Sequence, residues 1–473
     1  MGGTVNRTLL RGARVITMAA GSSGAEEVDV LVEGEEIVQV GPGLVAADAE
    51  IVDCSERIVM PGLVNAHLHT WQTGLRSIGA DWTLSEYLSN MHGTIAGLYR
   101  PADMRINGLA GALSLLAGGT TTVGDWCHGS ADPEHSDAAI EGLKDSGIRG
   151  VFLHGTPYRA IRSGSRSELD RLIDTWHSDV ITIGMAIRGP QLSPGWRAAD
   201  DMRAAAERGI VASMHQSGGV LKPAWRDVRD ARLFGPLTNI AHGAGLDDEW
   251  LSYLVDAGAT FTTTTENELG QGHGRPITAR LLSWGTAPSL GTDTSAVVGD
   301  DLFSIARTAL AIQRSADHEQ HRRDTGIFAP TATVTARQAL EWATVEGARA
   351  LGLGDRVGRL EPGLQADLIV LDARAANLWP AHDAVAAALQ SSFGNVESVM
   401  VAGKWRKRDH HLIGIDVDRV RVDLQASADR ILRAFTTTNP LGALRKKIVN
   451  RVGQAKAHAE LRVPRADEDA SGS

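Results

Sequence analysis

The 473-residue sequence contains little cysteine, no long apolar run and no excess of positive charge. Its two cysteines, Cys54 and Cys127, exclude a disulfide framework and a zinc ribbon, and are typical of a reducing cytosol. No segment reaches the roughly 18 consecutive apolar residues that a membrane-spanning helix needs. With 47 Lys and Arg against 57 Asp and Glu, the net charge is −10, which argues against binding to nucleic-acid phosphates. These absences predict a cytoplasmic protein that binds neither a membrane nor nucleic acid.

What the sequence does contain is enough apolar residues for a large core, since 43% are hydrophobic and 22% are charged. In its middle part, apolar runs of strand length alternate with helical stretches. The eight runs are Ile58–Val64, Thr121–Gly124, Gly150–Leu153, Ile181–Ala186, Ile210–Met214, Thr238–Ala241, Thr260–Thr263 and Pro288–Gly291. Alternation of strands and helices implies a parallel sheet, and eight units favour a (β/α)8 TIM-like barrel over the rival doubly wound sheet.

Both ends of the chain differ from this middle part. Residues 1–60 read as short strands separated by glycine-rich breaks, and similar strands return at 366–371 and 396–403. We therefore predict an α/β protein in which a barrel of residues 61–356 carries a small composite β-sandwich domain, made from 1–60 and 357–415. Residues 416–473 are predicted to form a helical extension that ends in an acidic tail at 466–469.

Histidines and one aspartate stand at the ends of several predicted strands. His67 and His69 are two residues apart, so on a strand their side chains share one face. His215, His242 and Asp293 end three later runs. In a parallel barrel the carboxyl ends of all strands meet at one rim. A single histidine at a strand end is commonly structural, but this joint pattern predicts a site for zinc, iron or manganese.

Four segments resemble the motifs of the amidohydrolase superfamily, in the branch that contains cytosine and guanine deaminases and triazine hydrolases. They are Pro61–His69, Gly118–Val123, Gly291–Asp293 and Glu361–Val370. The likeness runs from about residue 8 to about residue 405. It implies a hydrolase that acts on a small heteroaromatic substrate, and a homo-oligomer.

The resemblance also implies roles for individual residues. It assigns the metal ligands to His67, His69, His215 and Asp293, and it places His242 beside the attacking water or the substrate. Members with two metal ions carry a lysine on the fourth strand, whereas this chain has Ile187-Arg188-Gly189, so one divalent ion is expected. Such an ion lowers the pKa of a bound water and supplies hydroxide at neutral pH, with Asp293 as the proton acceptor.

One departure from the pattern bears on the leaving group. Deaminases of this branch carry a glutamate three residues after the fifth-strand histidine, and Gly218 stands there in this chain. An amide ion is too basic to leave without a proton, whereas nitrite and chloride leave as weak bases. The glycine therefore favours loss of a nitro or chloro group, as in the denitration of a nitroimidazole. Glu266, on the seventh-strand end, either replaces the missing acid, or only caps the following turn or pairs with Arg275.

Four more residues at the predicted rim are candidate substrate contacts. Trp71 has a flat ring that could stack on the substrate, and Gln72 could bond a ring heteroatom. Arg188 and His273 follow the fourth and seventh strands. For each one alone, core packing or a supporting hydrogen bond is the competing interpretation.

Three functions remain open on the sequence. The first is a hydrolase with one metal ion that displaces nitro or chloro groups, and the second is an aminohydrolase (deaminase) in which Glu266 or His242 supplies the proton. The third is a silent binding protein with the same fold, but silent relatives usually lose metal ligands and this chain keeps all four. The leaving group, the native metal and the number of subunits are not determined by the sequence.

Overall fold

The computed structural model describes residues 6–155, 157, 166–437, 451 and 455, and places its strands in two sheets. The N-terminal part contributes β1 (Arg7–Val15), β2 (Glu26–Glu33), β3 (Glu36–Gly41), β4 (Glu50–Asp53) and β5 (Arg57–Pro61). The middle part contributes β6 (Leu63–Leu68), β7 (Thr120–Cys127), β8 (Arg149–His154), β9 (Ile181–Ile187), β10 (Ala212–Gln216), β11 (Thr238–His242), β12 (Thr260–Thr263) and β13 (Ser289–Leu290). The last strands are β14 (Leu368–Asp372), β15 (Val396–Val401), β16 (Lys404–Arg408) and β17 (His411–Leu412).

Strands β6 to β13 form an eight-stranded sheet in which sequence neighbours pair in parallel. The sheet closes on itself through a parallel bridge between Leu68 and Asp293. Two backbone hydrogen bonds make this bridge, because the Asp293 N–H donates to the His67 carbonyl at 2.9 Å and the His69 N–H donates to the Asp293 carbonyl at 2.7 Å. The prediction of a (β/α)8 barrel is confirmed.

The first predicted strand run is divided between the two sheets. Residues 57–61 form β5 of the other sheet, and the first barrel strand is β6. The break falls at Gly62, where a Cβ atom would lie 2.1 Å from the Thr121 Oγ1 atom of β7. Only glycine lets the chain approach β7 this closely as it passes between the sheets. His67 consequently lies within a strand, one residue before its end, and not after it.

Helices cover the outside of the barrel and link the sheets. They are α1 (Leu84–Tyr87), α2 (Pro101–Ala117), α3 (Pro133–Ser146), α4 (Arg166–Trp176), α5 (Gly189–Leu192), α6 (Gly195–Arg208), α7 (Ala224–Asp230), α8 (Asp248–Asp256), α9 (Thr265–Gln271), α10 (Thr278–Ser283), α11 (Leu302–Thr325), α12 (Ala336–Trp342), α13 (Val345–Ala350), α14 (Ala384–Leu389) and α15 (Val417–Thr436). Single 3₁₀ or π turns lie at Thr70–Leu75, Leu88–His92, Ile95–Leu98 and Phe393–Asn395. No helix in the described ranges has both the length and the apolar character that crossing a bilayer requires.

The second sheet is mixed and takes strands from both ends of the chain, as predicted. Its order is β17-β16-β15-β14-β5-β1-β2-β3, and β4 pairs with β1. The two ends meet where β5 and β14 run antiparallel, with Pro61 opposite Leu368 and Arg57 opposite Asp372. Because β5 leads through Gly62 directly into β6, this sheet anchors the first barrel strand, and with it the His67–His69 segment.

A buried ion pair also ties the barrel to the mixed sheet. The Arg149 guanidinium, at the start of β8, donates through Nε and Nη2 to both oxygens of Asp367, at 2.8 and 2.9 Å. Each side chain is 1% exposed. Removing one member of such a pair leaves an uncompensated charge in the protein interior.

We expect Arg149→Met to lower the free energy of unfolding by about 3–5 kcal/mol. Urea unfolding of wild type and variant measures the difference. Arg280→Met is the matched control, because Arg280 pairs with the exposed Asp248 and its loss should cost less than about 1 kcal/mol. Equal effects of the two substitutions would show that the buried pair does not hold the sheets together.

The C-terminal extension begins as a helix that packs on the barrel. On α15, Ser427 donates through Oγ to Asp103 Oδ1 at 2.7 Å, and the Arg430 guanidinium pairs with the same carboxylate on α2. This contact agrees with the predicted helix. The predicted acidic tail at 466–469 lies outside the described residues.

Candidate metal centre

Three imidazoles and a carboxylate meet at the carboxyl ends of barrel strands. His67 Nε2 lies 3.2 Å from His215 Nε2 and 3.5 Å from Asp293 Oδ1. His69 Nε2 lies 3.2 Å from the same Asp293 oxygen. His67 and His69 come from the end of β6, His215 from β10 and Asp293 from the turn after β13. The barrel thus gathers residues that are more than 200 positions apart in the sequence.

The donor atoms are arranged as a cation requires. The His69 Nδ1–H donates to the Trp126 carbonyl at 2.7 Å, so Nε2 presents its lone pair to Asp293 Oδ1. Burial lowers the pKa of His67 to about 4 and also lowers that of His215, so both rings are neutral at neutral pH. Metal–nitrogen bonds of about 2.1 Å at tetrahedral angles put ligand atoms roughly 3.4 Å apart, which matches these separations. His67, His69 and Asp293 form one close group of donor atoms and His67, His215 and His242 form another, so these residues could hold a divalent ion.

The backbone conformation of Asp293 and a hydrogen bond to its side chain together fix the position of its carboxyl group. Its backbone has a left-handed φ of 60°, which is uncommon outside glycine and turns its side chain over the barrel end. Asn267 Nδ2 donates to Asp293 Oδ2 at 2.5 Å. The hydrogen bond from Asn267 favours the ionised form of this carboxyl group. Asp293 is therefore a carboxylate with one oxygen directed at the imidazoles.

His242 lies at the edge of this group. It ends β11 with a left-handed φ of 68°, and its Nε2 atom lies 3.8 Å from Asp293 Oδ2. Its Nδ1 atom faces away from the centre, toward Glu268 Oε1 at 3.3 Å and Thr264 Oγ1 at 3.2 Å. Nε2 is buried and has no hydrogen-bond partner among the described residues. This atom is free to bond a water molecule or a substrate above Asp293.

The structure distinguishes the two glutamates of the seventh-strand segment. Glu266 is exposed in the first turn of α9, whereas Glu268 is fully buried and contacts His242. Burial raises the pKa of Glu268 to about 8. Glu268 is therefore the buried carboxyl group beside His242, and the catalytic role of the exposed Glu266 stays a prediction. Residues two apart on a helix point about 200° apart, so the phase of α9 was the signal that could have identified Glu268.

Gly218, where deaminases of the resembled branch carry glutamate, packs tightly against the loop after β12. Its N–H donates to the His273 carbonyl at 2.6 Å. A Cβ atom on Gly218 would lie 2.7 Å from the same oxygen. The backbone of this loop thus occupies the space that a longer side chain at position 218 would need.

Two predicted substrate contacts, Trp71 and Gln72, are fully buried and engaged inside the protein. Gln72 donates to the Tyr87 hydroxyl at 2.8 Å and accepts from the Thr294 hydroxyl at 2.5 Å. The Trp71 indole N–H donates to His128 Nδ1 at 3.4 Å, and its ring packs edge-on against Tyr99. Both side chains are thus bonded to other buried residues next to the site.

Buried aromatic rings form one wall of the metal centre. The His128 ring centroid lies 4.5 Å from that of His69, and the Trp126 ring centroid lies 4.2 Å from that of His215. Because Trp71 donates to His128 Nδ1, the proton of His128 is on Nε2, which lies 3.1 Å from His92 Nε2. Sequence reasoning missed His92, which follows the first strand by many residues and has no motif of its own.

The remaining two predicted contacts lie above the strand ends. The His273 ring centroid is 4.2 Å from that of His242, and His273 Nδ1 lies 3.0 Å from Ser217 Oγ. His273 also lines a cavity of about 670 Å³ between the loops that follow β10, β11 and β12. Arg188, at the end of β9, donates to the Pro157 carbonyl at 2.9 Å. Of the four predicted substrate contacts, His273 thus lies between the cavity and the metal centre.

The chain is similar to known proteins along most of its length. The sequence pattern of the Amidohydrolase family matches residues 58–406. The chain is 29% identical over 454 residues to a 5-methylthioadenosine/S-adenosylhomocysteine deaminase from Symbiobacterium thermophilum, and the match covers 91% of this chain and 100% of the relative.

Solved structures share the fold. A mutant of the atrazine chlorohydrolase from Arthrobacter aurescens, solved with zinc and atraton, superposes with a TM-score of 0.78 at 23% identity, over 89% of this chain and 100% of that one. An adenosine deaminase from Xanthomonas campestris with bound zinc gives a TM-score of 0.78 at 24% identity, over 90% of this chain and 98% of that one.

Proposed function

Because the chain belongs to the amidohydrolase family, and is therefore a metal-dependent hydrolase, we propose that it uses one divalent ion to displace a substituent from a small N-heteroaromatic ring. We propose nitro or chloro as the substituent. The ion is zinc, iron or manganese, held by His67, His69, His215 and Asp293. The observation that carries the proposal is the approach of these donor atoms on the barrel rim, where His67 Nε2 lies 3.2 Å from His215 Nε2 and 3.5 Å from Asp293 Oδ1. His69 Nε2 lies 3.2 Å from the same oxygen.

The ion, when bound, supplies a water molecule whose pKa lies close to neutrality. Asp293, fixed by Asn267, would accept the proton of such a water molecule through its carboxylate. His242 Nε2, which points to the same side, accepts a hydrogen bond from the water and orients it toward the substrate ring. The buried rings of Trp126 and His128 exclude bulk water on one side and offer flat surfaces to a flat substrate. His273 contacts the substrate where it passes from the cavity to the centre.

The residue at position 218 bears on the chemical nature of the leaving group. Loss of an amine needs an acid beside the departing nitrogen, whereas nitrite and chloride depart as stable anions. Gly218 has no acidic side chain, and the His273 carbonyl occupies the space that such a side chain would need. This supports an anionic leaving group.

Deamination is the second candidate, and two observations favour it. The similar relative named above is a deaminase of adenosine-type compounds, and it is matched along its whole length. Glu268, protonated at neutral pH because burial raises its pKa to about 8, could supply a proton through His242 in place of the missing acid.

A panel of azoles, pyrimidines and triazines, each in nitro, chloro and amino form, separates the two candidates. We expect the metal-loaded protein to release nitrite or chloride at least about tenfold faster than ammonia from the amino form of the same ring, which corresponds to about 1.4 kcal/mol in activation free energy. Ion chromatography and an ammonia assay measure the products. Release of ammonia alone would exclude the nitro and chloro proposal and establish the deaminase.

A further inference from the structure

Glu268 is a buried carboxyl group that pairs with no lysine or arginine among the described residues. It is 0% exposed, and its described hydrogen bonds join Oε1 to the Thr264 N–H at 2.8 Å and to His242 Nδ1 at 3.3 Å. Burying a carboxyl group costs free energy unless hydrogen bonds within the protein compensate for its lost hydration. Because α9 begins immediately after Thr264, a shorter polar side chain could cap this helix without reaching His242.

The contacts at His242 decide which ring nitrogen carries the proton. Two oxygen atoms converge on Nδ1, from Glu268 and from the Thr264 hydroxyl. Glu268 Oε1 already accepts the Thr264 N–H, as the carbonyl oxygen of a protonated carboxyl group does, so the acid proton is placed on Oε2 and Oε1 presents a lone pair to the ring. A deprotonated Nδ1 would face this lone pair at 3.3 Å. The favourable arrangement places a proton on Nδ1, which leaves Nε2 as an acceptor.

We propose that Glu268 is a positioning residue that keeps the proton of His242 on Nδ1, so that Nε2 faces Asp293 as a hydrogen-bond acceptor. Glu268 touches neither the donor atoms of the metal centre nor the open cavity. It acts through His242 alone. A carboxyl group that fixes the tautomer of a catalytic imidazole is a device known from other hydrolases.

The inference gives a reason for a glutamate at this position in a chain with Gly218. If Nε2 is an acceptor, His242 orients an attacking water molecule but has no proton to give to a leaving group at the start of the reaction. This matches a group that departs as an anion. The inference rests on the proposed function for its effect on rate, but the tautomer of His242 can be measured without any substrate.

The first test is the tautomer in the zinc-loaded protein. Long-range ¹⁵N–¹H NMR of protein labelled at histidine distinguishes the two tautomers, and comparison with His242→Gln assigns the resonances of this ring. We expect a proton on Nδ1 in wild type and in Glu268→Gln, since the glutamine oxygen can still accept from Nδ1 and from the Thr264 N–H. In Glu268→Leu we expect this signal to be lost. A proton on Nε2 in the wild type overturns the proposal.

The second test is kinetic. Loss of a group that orients an active-site histidine costs on the order of 10–100-fold, so Glu268→Leu should lower kcat by that factor while KM changes little. Glu268→Gln should keep kcat within about threefold of wild type, because the acceptor is retained. Glu249→Gln is the matched control for loss of an acidic group, since Glu249 is exposed on α8.

The outcomes are distinct. If Glu268→Gln is as slow as Glu268→Leu, Glu268 acts as a proton source and the positioning role is wrong. If Glu268→Leu does not fold, the wild-type tautomer and the Glu268→Gln rate still decide. If no compound of the panel reacts but His242 carries its proton on Nδ1, the proposed function fails while this inference stands.

Discussion

Replacing His67 by alanine is expected to abolish both metal retention and turnover. His67 is fully buried, and its Nε2 atom lies within 3.5 Å of two other candidate ligands. A metal ion contributes several kcal/mol to stabilising the transition state, so its loss should reduce turnover on the order of 10³-fold or more. Elemental analysis of the purified variant should show far less than one ion per chain.

A buried histidine elsewhere on the barrel provides the matched control for His67→Ala. His154 ends β8 and is also buried, but its ring faces Ser136 on α3, with Nδ1 3.5 Å from that hydroxyl. His154→Ala creates a cavity of similar size outside the metal centre, so the protein should keep its metal ion. Full metal content and turnover in His67→Ala would refute the ligand assignment.

Replacing Asp293 by asparagine is the second large effect. The substitution keeps the shape of the side chain and an oxygen that can accept from Asn267, but it removes the negative charge. The candidate proton acceptor and one anionic ligand are lost together. General acid–base contributions are about 10²–10⁴-fold, so we expect turnover to fall by at least about 10³-fold.

Asp125→Asn distinguishes the role of Asp293 from the loss of any buried carboxyl. Asp125 lies on β7, is fully buried, and accepts the Thr70 N–H through Oδ1 at 3.1 Å, a bond that asparagine can retain. We expect this variant to keep its metal ion and to stay within about tenfold of wild-type turnover. If Asp293→Asn is no slower than Asp125→Asn, Asp293 is not the proton acceptor.

The barrel could be predicted because its strands are buried on both faces and therefore read as short apolar runs. Seven of the runs overlap one barrel strand each, from β7 to β13, even though β13 has only two residues, Ser289–Leu290. The first run was harder to divide, since Ile58–Val64 is continuous in the sequence. Its break depends on the contact between Gly62 and Thr121, which come from separate parts of the chain.

Site residues could be predicted where they lie at the ends of strands, but not where their roles depend on contacts between loops. Strand geometry alone indicates that His67 and His69 share a face with later strand ends. The engagement of Gln72 by Tyr87 and Thr294, and the contact between Glu268 and His242, depend on how loops and short helices meet. Asp293 also needs a left-handed backbone, which no local sequence pattern indicated.

The central claim is that one divalent cation sits among four side chains on the barrel rim. An anomalous difference map from crystals of the metal-loaded protein tests it directly. We expect a single peak about 2.0–2.2 Å from Nε2 of His67, His69 and His215 and from a carboxylate oxygen of Asp293. A peak among His242, His273 and Asp293, or two peaks bridged by Asp293, would contradict the account.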